Sequence, residues 1–417
     1  MNYILKNGTA YIDGKFVNCD ISILNGSVSL SSSCACDFKV IDCTDKFIFP
    51  GFTDVHVHLR EPGFSYKETI KTGTEAGASA GYTNLFSMPN LNPVPDSLEN
   101  LKVQLDIIEK DAVINVYPFA SITVGQKGEK LSDLENLSKF VKGFSDDGKG
   151  VQNPKLMVDA MRIAKEKDKI IVAHCEDESL LNGGYIHDGE YARLNGHKGI
   201  CSESESRPIE RDLFLASEIG VDYHVCHVSA LESVKAIREM KNKGVRVTAE
   251  TGPHYLVFSD MDLKESGNFK MNPPIRSASD RSALIDGIKD GTIDMIATDH
   301  APHSAEEKSK GLKDSLNGIV GLETAFPVLY TKLVKTGEIT LEKLIELMSI
   351  APAKRFGLTC GIVDGETANL CVYDLDKEYT IDPQKFVSKG KSTPFENMKV
   401  YGECQLTICN GKIVWQK

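Results

Sequence analysis

Short apolar runs alternate with helical stretches through most of this 417-residue chain. Eight of the runs predict β-strands, at Gly51–Leu59, Tyr82–Ser87, Ile114–Ala120, Phe140–Phe144, Ile170–His174, Tyr223–His227, Val245–Ala249 and Met295–Thr298. Apolar residues at three- and four-residue spacing predict helices between them, at Leu98–Glu109, Pro154–Glu166, Pro208–Ile219, Leu231–Lys243 and Asp280–Lys289, with Ser97 and Ser279 as caps. Alternation implies parallel strands, and eight of them predict an α/β fold, a (β/α)8 TIM-like barrel. A doubly wound open sheet is the rival, but no glycine-rich phosphate loop supports it.

The two ends of the chain have a different pattern, with short strands separated by turn pairs. These pairs are Asn7-Gly8, Asp13-Gly14 and Asn25-Gly26 near the start, and Asn410-Gly411 near the end. We therefore predict that both ends together build one small β-sandwich domain. The predicted division is residues 51–354 for the barrel, and residues 1–50 plus 355–417 for the composite β domain.

Composition narrows the classes of function. The net charge of -11 argues against nucleic-acid and membrane partners, and an anionic substrate would need local cations. Met1–Lys15 lacks the apolar core of a signal peptide and no stretch approaches 18 apolar residues, so a cytoplasmic protein is expected. The eleven cysteines include no C-x-x-C pair, which predicts reduced thiols; the closest pair, Cys34 and Cys36, is interpreted as accidental.

Candidate metal ligands lie at the ends of the predicted strands. His56, His58 and Arg60 alternate along the first strand, so an extended chain would point all three the same way. Other candidates follow later strands: His174, His227, Asp299 and either Asp146 or Asp147. Parallel barrel strands open onto one face, where active sites lie, so these residues should meet there.

Four histidines and two carboxylates can hold two divalent metals. Imidazole and carboxylate favour Zn2+, although Co2+ or Mn2+ could use the same ligands. A metal lowers the pKa of a bound water from 15.7 to roughly 7, which supplies hydroxide without a serine or cysteine nucleophile. His187, His197 and His224 lack strand-end placement and are interpreted as structural.

Six segments together resemble a type I (bacterial) dihydroorotase of the amidohydrolase superfamily. They are DVHVHLREPG at 54–63, MPN at 88–90, FSDDG at 144–148, AHCED at 173–177, MNPP at 271–274 and TDHAPH at 298–303. The resemblance extends from about Pro50 to Leu358. It implies reversible interconversion of N-carbamoyl-L-aspartate and (S)-dihydroorotate in de novo pyrimidine (UMP) biosynthesis.

The resemblance also implies roles for the strand-end residues. Two zinc ions per subunit would be bound, one by His56 and His58 and the other by His174 and His227. Asp147 would bind or bridge them, because the family ligand lies 27 residues before the next histidine; Asp146 is the fallback. Asp299 would be both a ligand and the catalytic proton carrier, acting with a metal-bound hydroxide.

Substrate contacts follow from the same resemblance. Dihydroorotate carries one carboxylate, for which Arg60 offers a planar fork, with Asn90 and His303 as further donors. His58 would also contact the substrate, and Asn272, Asn317 and Gly318 would contact the ring, the last two partly through backbone groups. A homodimer and an association with aspartate carbamoyltransferase are further expectations.

Three alternatives stay open. A hydantoinase, dihydropyrimidinase or allantoinase would use the same barrel, usually with a carboxylated lysine between its metals, and Lys142 lies near the relevant strand. A noncatalytic assembly subunit is the rival of another class, although all six expected ligands are present. The polar segment Ala301–Asp314 is interpreted either as a lid over the site or as a mobile solvated loop.

Overall fold

A computed structural model describes residues 2–30 and 38–417; Cys34 and Cys36 lie outside these residues. The strands in the described part are β1 (Tyr3–Ile12), β2 (Lys15–Leu24), β3 (Ser27–Ser29), β4 (Lys39–Asp42), β5 (Phe47–Pro50), β6 (Phe52–Val57), β7 (Tyr82–Ser87), β8 (Asn115–Pro118), β9 (Gly143–Phe144), β10 (Ile170–Ala173), β11 (Ile186–His187), β12 (Gly199–Ile200), β13 (Asp222–Val225), β14 (Val247–Thr251), β15 (Met295–Ile296), β16 (Leu370–Thr380), β17 (Lys399–Cys409) and β18 (Lys412–Gln416).

The α-helices of the same residues are α1 (Ile70–Ser79), α2 (Leu98–Asp111), α3 (Leu134–Leu137), α4 (Pro154–Glu166), α5 (Glu190–Asn195), α6 (Glu203–Ile219), α7 (Leu231–Asn242), α8 (Pro253–Val257), α9 (Ala278–Asp290), α10 (Ala305–Lys308), α11 (Gly311–Asp314), α12 (Ala325–Leu329), α13 (Leu341–Ile345) and α14 (Ala351–Arg355). π-helical turns at Tyr330–Val334 and Glu346–Ile350 continue α12 and α13. Short 3-10 turns lie at Val124–Gln126, Glu178–Leu180, Asp260–Asp262, Gly267–Phe269 and Pro383–Lys385.

Eight parallel strands form the barrel, and each corresponds to one of the eight predicted runs. Strands β6, β7 and β8 pair in one group, and β9, β10, β13, β14 and β15 pair in a second. Single parallel bridges join the groups at both seams, Ala120 to Phe144 and Val57 to His300, so the barrel closes. The predicted (β/α)8 barrel is therefore confirmed.

The barrel strands are apolar because helices cover one face and the barrel interior covers the other. All six residues of β6 and of β7 are buried, as are the four of β10. The helices present their apolar stripes to this cylinder; α4, for example, buries Met157, Ala160, Met161 and Ala164. Periodicity identified these elements because their burial is continuous along the chain.

Two of the predicted helix starts differ from the structure. Ser97 caps α2 as predicted, by accepting from the backbone N–H of Asn100. Ser279 lies inside α9, and the cap is Ser277, whose side chain accepts from the N–H of Asp280 in a capping box. Helix α6 begins at Glu203 rather than at Pro208, so this proline lies within the helix.

As predicted, both ends of the chain contribute to one β structure, and its described strands pair in an eight-stranded sheet. The strand order is β18-β17-β16-β5-β1-β2-β3, with β4 also beside β1, and the antiparallel pair β5 and β16 joins the two ends. Its apolar residues form a second core that includes Leu5, Ile21 and Ile408. The predicted turn at Asn7-Gly8 is wrong: these residues form a bulge within a continuous β1, where Asn7 has φ 63°.

An aromatic cluster joins the small sheet to the barrel. Phe49 and Tyr373 of the sheet pack on Phe52 and Phe326 of the barrel, with ring centroids 4.4–6.3 Å apart. Four large aromatic side chains therefore share one core across the expected boundary. The predicted division of the chain at residues 50/51 and 354/355 stays a prediction.

Residues 386–392 of the composite domain, the rim segment, extend onto the rim of the barrel. The N–H groups of Val387 and Ser388 donate to the Glu323 carboxylate at 2.7 and 3.2 Å, and the Lys389 N–H donates to Glu68 at 3.3 Å. Val320 donates to the Ser392 carbonyl at 2.9 Å. The small domain therefore supports the barrel segment that follows β15.

None of the helices in the described part of the chain is long and apolar enough to cross a membrane.

We expect Phe326→Ala to lower the free energy of unfolding by about 3–5 kcal/mol, because it opens a cavity in the shared aromatic core. Phe214→Ala is the matched control, since Phe214 is 60% exposed and should lose less than about 1 kcal/mol. Urea unfolding followed by circular dichroism measures both. Equal losses in the two variants would contradict the cluster's role in joining the domains.

Candidate metal centre

Six buried side chains meet at the carboxyl ends of the barrel strands. They are the predicted ligands His56, His58, Asp147, His174, His227 and Asp299. His227 and Asp299 have left-handed φ angles of 32° and 48°, which L-residues rarely adopt. Such backbone strain persists where the surrounding structure fixes it, and it is concentrated at functional sites.

The Asp147 carboxylate lies at the centre of the histidines. Its Oδ1 is 3.3 Å from His56 Nε2, 3.4 Å from His227 Nε2 and 3.6 Å from His174 Nδ1, and its Oδ2 is 3.4 Å from His58 Nε2. One carboxylate therefore reaches all four imidazoles.

Asp299 completes the cluster from the end of β15. Its Oδ1 lies 3.0 Å from His58 Nε2 and 3.5 Å from His56 Nε2. Among the predicted ligands, all of them in the described part of the chain, two sets have ligand atoms within 4.8 Å of one another: His56 with His58 and Asp299, and His56 with Asp147 and His227. Both sets combine imidazole nitrogen with carboxylate oxygen, which are donors that Zn2+ commonly binds in proteins.

Unpaired atoms in the cluster support a metal site. Among the described residues, His56 Nε2, His174 Nε2 and Asp147 Oδ1 are buried without a hydrogen-bond partner. Leaving three polar atoms unpaired away from water is costly, whereas cations bound between them would satisfy such atoms. The residues present therefore fit a divalent metal centre.

The two neighbouring aspartates have different contacts in the structure. The Asp146 carboxylate accepts from the N–H groups of Ile122 and Thr123 at 2.8 and 3.1 Å and also from the Thr123 hydroxyl. It thus anchors the segment after β8, while Asp147 faces the histidines. The sequence pattern alone could not distinguish these two directions.

Glu250 is a buried residue that the sequence reasoning missed. Its carboxylate lies 2.6 Å from His56 Nδ1 and 3.0 Å from His224 Nε2, and it accepts from the His227 N–H at 3.2 Å. It directs His56 Nε2 toward Asp147, as carboxylates commonly do behind metal-binding histidines. Its position directly after the predicted strand Val245–Ala249, a strand end like those of the predicted ligands, was the available signal.

A cavity of about 200 Å³ opens above the cluster. It is smaller than the roughly 300–1,000 Å³ typical of sites for drug-sized ligands, which suits a compact ligand. Eleven of the twelve predicted site residues line it, and His56 lies beneath them: the lining comprises His58, Arg60, Asn90, Asp147, His174, His227, Asn272, Asp299, His303, Asn317 and Gly318, with Gly148 and Ala301.

Arg60 reaches the cavity by a route different from the one predicted. Strand β6 ends at Val57, and Arg60 has φ 61°, so a left-handed turn and not strand alternation directs its side chain. Its Nε donates to the Pro302 carbonyl at 3.1 Å. Burial lowers the pKa of Arg60 to about 10, which leaves it a cation at neutral pH.

His303 is held as a neutral imidazole beside Arg60. Its Nε2 lies 2.7 Å from the Asn317 carbonyl, which can only accept, so Nε2 carries the proton. Its Nδ1 accepts from the Lys67 ammonium at 3.1 Å. Burial, with the nearby charges of Arg60 and Lys67, lowers the pKa of His303 to about 3. Lys67 was also missed, because nothing in its local sequence marks it as buried.

Two asparagines flank the cluster. Asn90 Oδ1 lies 2.8 Å from His58 Nδ1, which leaves His58 Nε2 facing the carboxylates. Asn272 donates to Glu176 at 2.9 Å, and its Oδ1 is buried without a partner among the described residues. Asn272 therefore has a carbonyl oxygen available for a ligand N–H group.

Gly318 occupies a position that only glycine fits. A Cβ there would lie 2.6 Å from the Ala301 carbonyl, and the backbone φ is 132°. Its N–H donates to the Lys270 carbonyl at 3.0 Å, so the expected backbone contact with a substrate would have to use its remaining carbonyl lone pair.

The predicted lid, Ala301–Asp314, packs against the barrel rim. A capping box at Ser304 and Glu307 starts α10, and Glu307 lies 3.0 Å from the Lys67 ammonium. Leu312 is buried in an apolar cluster. Opening of this segment as a lid stays a prediction.

Lys142, which the hydantoinase alternative would use, lies in a separate cavity with Asp168 and Asp222 at the amino ends of the strands.

Comparison with known proteins identifies the family. A family model described as dihydro-orotase-like matches residues 45–233. Dihydroorotase from Fusobacterium nucleatum is 50% identical over 99% of this chain and 98% of its own length. The chain belongs to the dihydroorotase family. Dihydroorotase from Bacillus caldolyticus, another member, is 48% identical over the whole chain and 99% of its own length.

Solved structures similar to this member of the dihydroorotase family include a hydantoinase and a dihydropyrimidinase. An L-hydantoinase (dihydropyrimidinase) from Arthrobacter aurescens superposes with a TM-score of 0.89 at 26% identity, covering all of this chain and 96% of its own. Dihydropyrimidinase from Brevibacillus agri has a TM-score of 0.86 at 23% identity, covering 100% and 95%. The second likeness shows the shared barrel fold alone.

We expect Asp147→Asn to lower bound metal by at least about tenfold, because the charge at the centre of four imidazoles is lost. Asp146→Asn is the matched control: it changes the neighbouring carboxylate, which contacts backbone instead, and should keep its metal. Elemental analysis after dialysis against a weak chelator compares the two. Metal lost from Asp146→Asn and retained by Asp147→Asn would reverse the assignment.

Proposed function

We propose that this protein is a dihydroorotase of the type I class, which interconverts N-carbamoyl-L-aspartate and (S)-dihydroorotate in pyrimidine biosynthesis. The observation that carries the proposal is the placement of a cationic, donor-rich wall, Arg60 and His303, directly beside a centre of four histidines and two aspartates. The substrate needs both features, since it has an anionic carboxylate and a ring amide to be hydrolysed. Full-length identity near 50% to dihydroorotases supports it.

We assign the metal ligands as His56 and His58 for one ion, His174 and His227 for the other, and Asp147 and Asp299 as carboxylate ligands, with Asp147 bridging. Two Zn2+ ions are proposed, with Co2+ or Mn2+ as possible substitutes. Bound there, such metals would acidify a water and polarise the ring carbonyl, which is the chemistry that amide hydrolysis requires.

Asp299 is proposed as the proton carrier. Burial raises the pKa of Asp299, but His56 and His58 hold it below its ordinary value. Asp299 is therefore a carboxylate at the start of the reaction. In ring opening it would take a proton from the attacking water. As the bond between the ring carbonyl carbon and the ring nitrogen breaks, it would give that proton to the nitrogen. Ring closure reverses these steps.

The other predicted contacts fit the two ends of the substrate. Arg60 would bind the substrate carboxylate with its planar fork, assisted by Asn90 and by His303, whose Nε2–H would be shared between the Asn317 carbonyl and the substrate. Asn272 has its unpaired Oδ1 for a ring N–H. Asn317 and Gly318 close the opposite wall, and His58 contacts both the metal and the substrate.

Further parts of the proposal concern the wider context of the enzyme. We propose a cytoplasmic homodimer, with association with aspartate carbamoyltransferase as a possible additional assembly. A hydantoinase, dihydropyrimidinase or allantoinase remains the alternative, and the similar solved structures favour it at the level of fold. The position of Lys142 away from the histidines argues against the lysine-bridged centre of those enzymes.

A substrate panel distinguishes these enzymes. We expect the metal-loaded protein to turn over dihydroorotate and N-carbamoyl-L-aspartate, and to leave hydantoin and allantoin unchanged. Ring closure consumes one proton, so the equilibrium ratio of ring to open form should fall about tenfold for each unit rise in pH between pH 6 and 8. Turnover of hydantoin without dihydroorotate, or a pH-independent ratio, would overturn the proposal.

Substitutions separate binding from proton transfer. We expect Asp299→Ala to lower kcat by at least about a hundredfold through loss of the proton carrier. Arg60→Ala should instead raise KM roughly 10- to 100-fold, because a charge-assisted contact to the carboxylate is lost. Arg60→Lys, which keeps the charge without the planar fork, should raise KM by less than Arg60→Ala does. Steady-state kinetics at fixed metal loading measures all three, and near-normal kcat in Asp299→Ala would exclude its proposed role.

A further inference from the structure

Lys308 is a buried lysine beside the substrate cavity that the proposed chemistry does not use. It is 7% exposed and lies at the end of α10. Its Nζ lies 2.9 Å from the Lys270 carbonyl, 2.8 Å from the Leu316 carbonyl and 2.6 Å from the Gly318 carbonyl. An ammonium has three N–H donors, so all three are used by backbone acceptors.

Among the described residues, the charged Lys308 side chain therefore binds three backbone carbonyl groups and no side chain. Burial and the nearby Lys270 lower the pKa of Lys308 to about 7, whereas three carbonyl acceptors favour its charged form. Within residues 2–30 and 38–417, no carboxylate forms an ion pair with it. A buried ammonium bound only by carbonyls is costly unless the segment it organises has a use.

The three carbonyls belong to the segments that form one wall of the cavity. Residues 316–318 form a turn in which the first and last carbonyls point toward Lys308, while the carbonyl of Asn317 between them points to His303 Nε2 at 2.7 Å. The Lys270 carbonyl also accepts the Gly318 N–H at 3.0 Å. The Lys308 ammonium thus fixes the directions of the first and last carbonyls of the turn, which are opposite to that of the Asn317 carbonyl between them.

We propose that Lys308 is a positioning residue that locks the turn 316–318, so that Asn317, Gly318 and His303 are ready to receive the substrate. It does not touch the reacting atoms. The inference rests on the proposed function for its kinetic consequence, but the lock itself depends only on contacts within the chain.

The test replaces Lys308 by methionine, which keeps the length and removes the ammonium. Lys310→Met is the matched control, because Lys310 lies two residues away on the same segment and is exposed. We expect Lys308→Met to raise KM for dihydroorotate roughly tenfold or more, with kcat changed less than about threefold and the metal content unchanged. The control should match the unaltered protein.

Hydrogen exchange gives a readout that needs no substrate. In Lys308→Met the Gly318 amide should exchange at least about tenfold faster, since the carbonyls that order its turn lose their donor. Lys308→Gln, which keeps a shorter N–H donor, should be intermediate, and it substitutes for the methionine variant if that one does not fold.

The outcomes distinguish the two proposals. If the unaltered protein fails to turn over dihydroorotate, the proposed function fails, while accelerated exchange at Gly318 would still support the lock. If dihydroorotate is turned over and a folded Lys308 variant keeps both KM and amide protection, the lock is wrong. A fall in kcat together with metal loss in Lys308→Met would also overturn it, because a positioning role leaves the metal centre intact.

Discussion

The burial of Asp147 among four imidazoles is the interaction on which the site depends. A carboxylate removed from water is stable only where charges or donors surround it, and here every neighbour is a histidine that also needs a partner. Protein atoms alone do not satisfy the cluster, since Asp147 Oδ1, His56 Nε2 and His174 Nε2 stay unpaired among the described residues. Bound cations would therefore stabilise the cluster, which would link metal binding to local order.

This cluster can form only if the first and last barrel strands meet. Asp54 stands at that seam: its buried carboxylate accepts from the His56 N–H at 3.0 Å and from the Thr298 N–H at 3.1 Å. The same seam carries the bridge between Val57 and His300. Outside it, the rim segment is bound by Glu68 and Glu323, so the small domain reinforces the seam next to Asp299.

Much of this arrangement could be predicted from the sequence, because strand ends in a parallel barrel share one face. His174, His227 and Asp299 each follow an apolar run, and that alone placed them together. The direction of Arg60 could not be predicted in this way, since it depends on one left-handed backbone residue. Lys67 and Lys308 were missed for another reason: a charged residue becomes buried through contacts distant in sequence, which hydrophobic periodicity does not report.

The fold by itself does not choose between hydrolysing one cyclic amide and another, since hydantoinases share this barrel. The choice depends on which group lies between the histidines and on what lines the opposite wall. Here an aspartate lies between the histidines, and the opposite wall combines the Arg60 cation with His303, which burial and the charges of Arg60 and Lys67 keep neutral. A neutral imidazole beside the Arg60 cation suits a substrate with a single carboxylate, because the imidazole adds no charge of its own that must be desolvated. In the proposed function, specificity in this chain therefore resides in a few rim residues, held in place by the loops after β6 and β15.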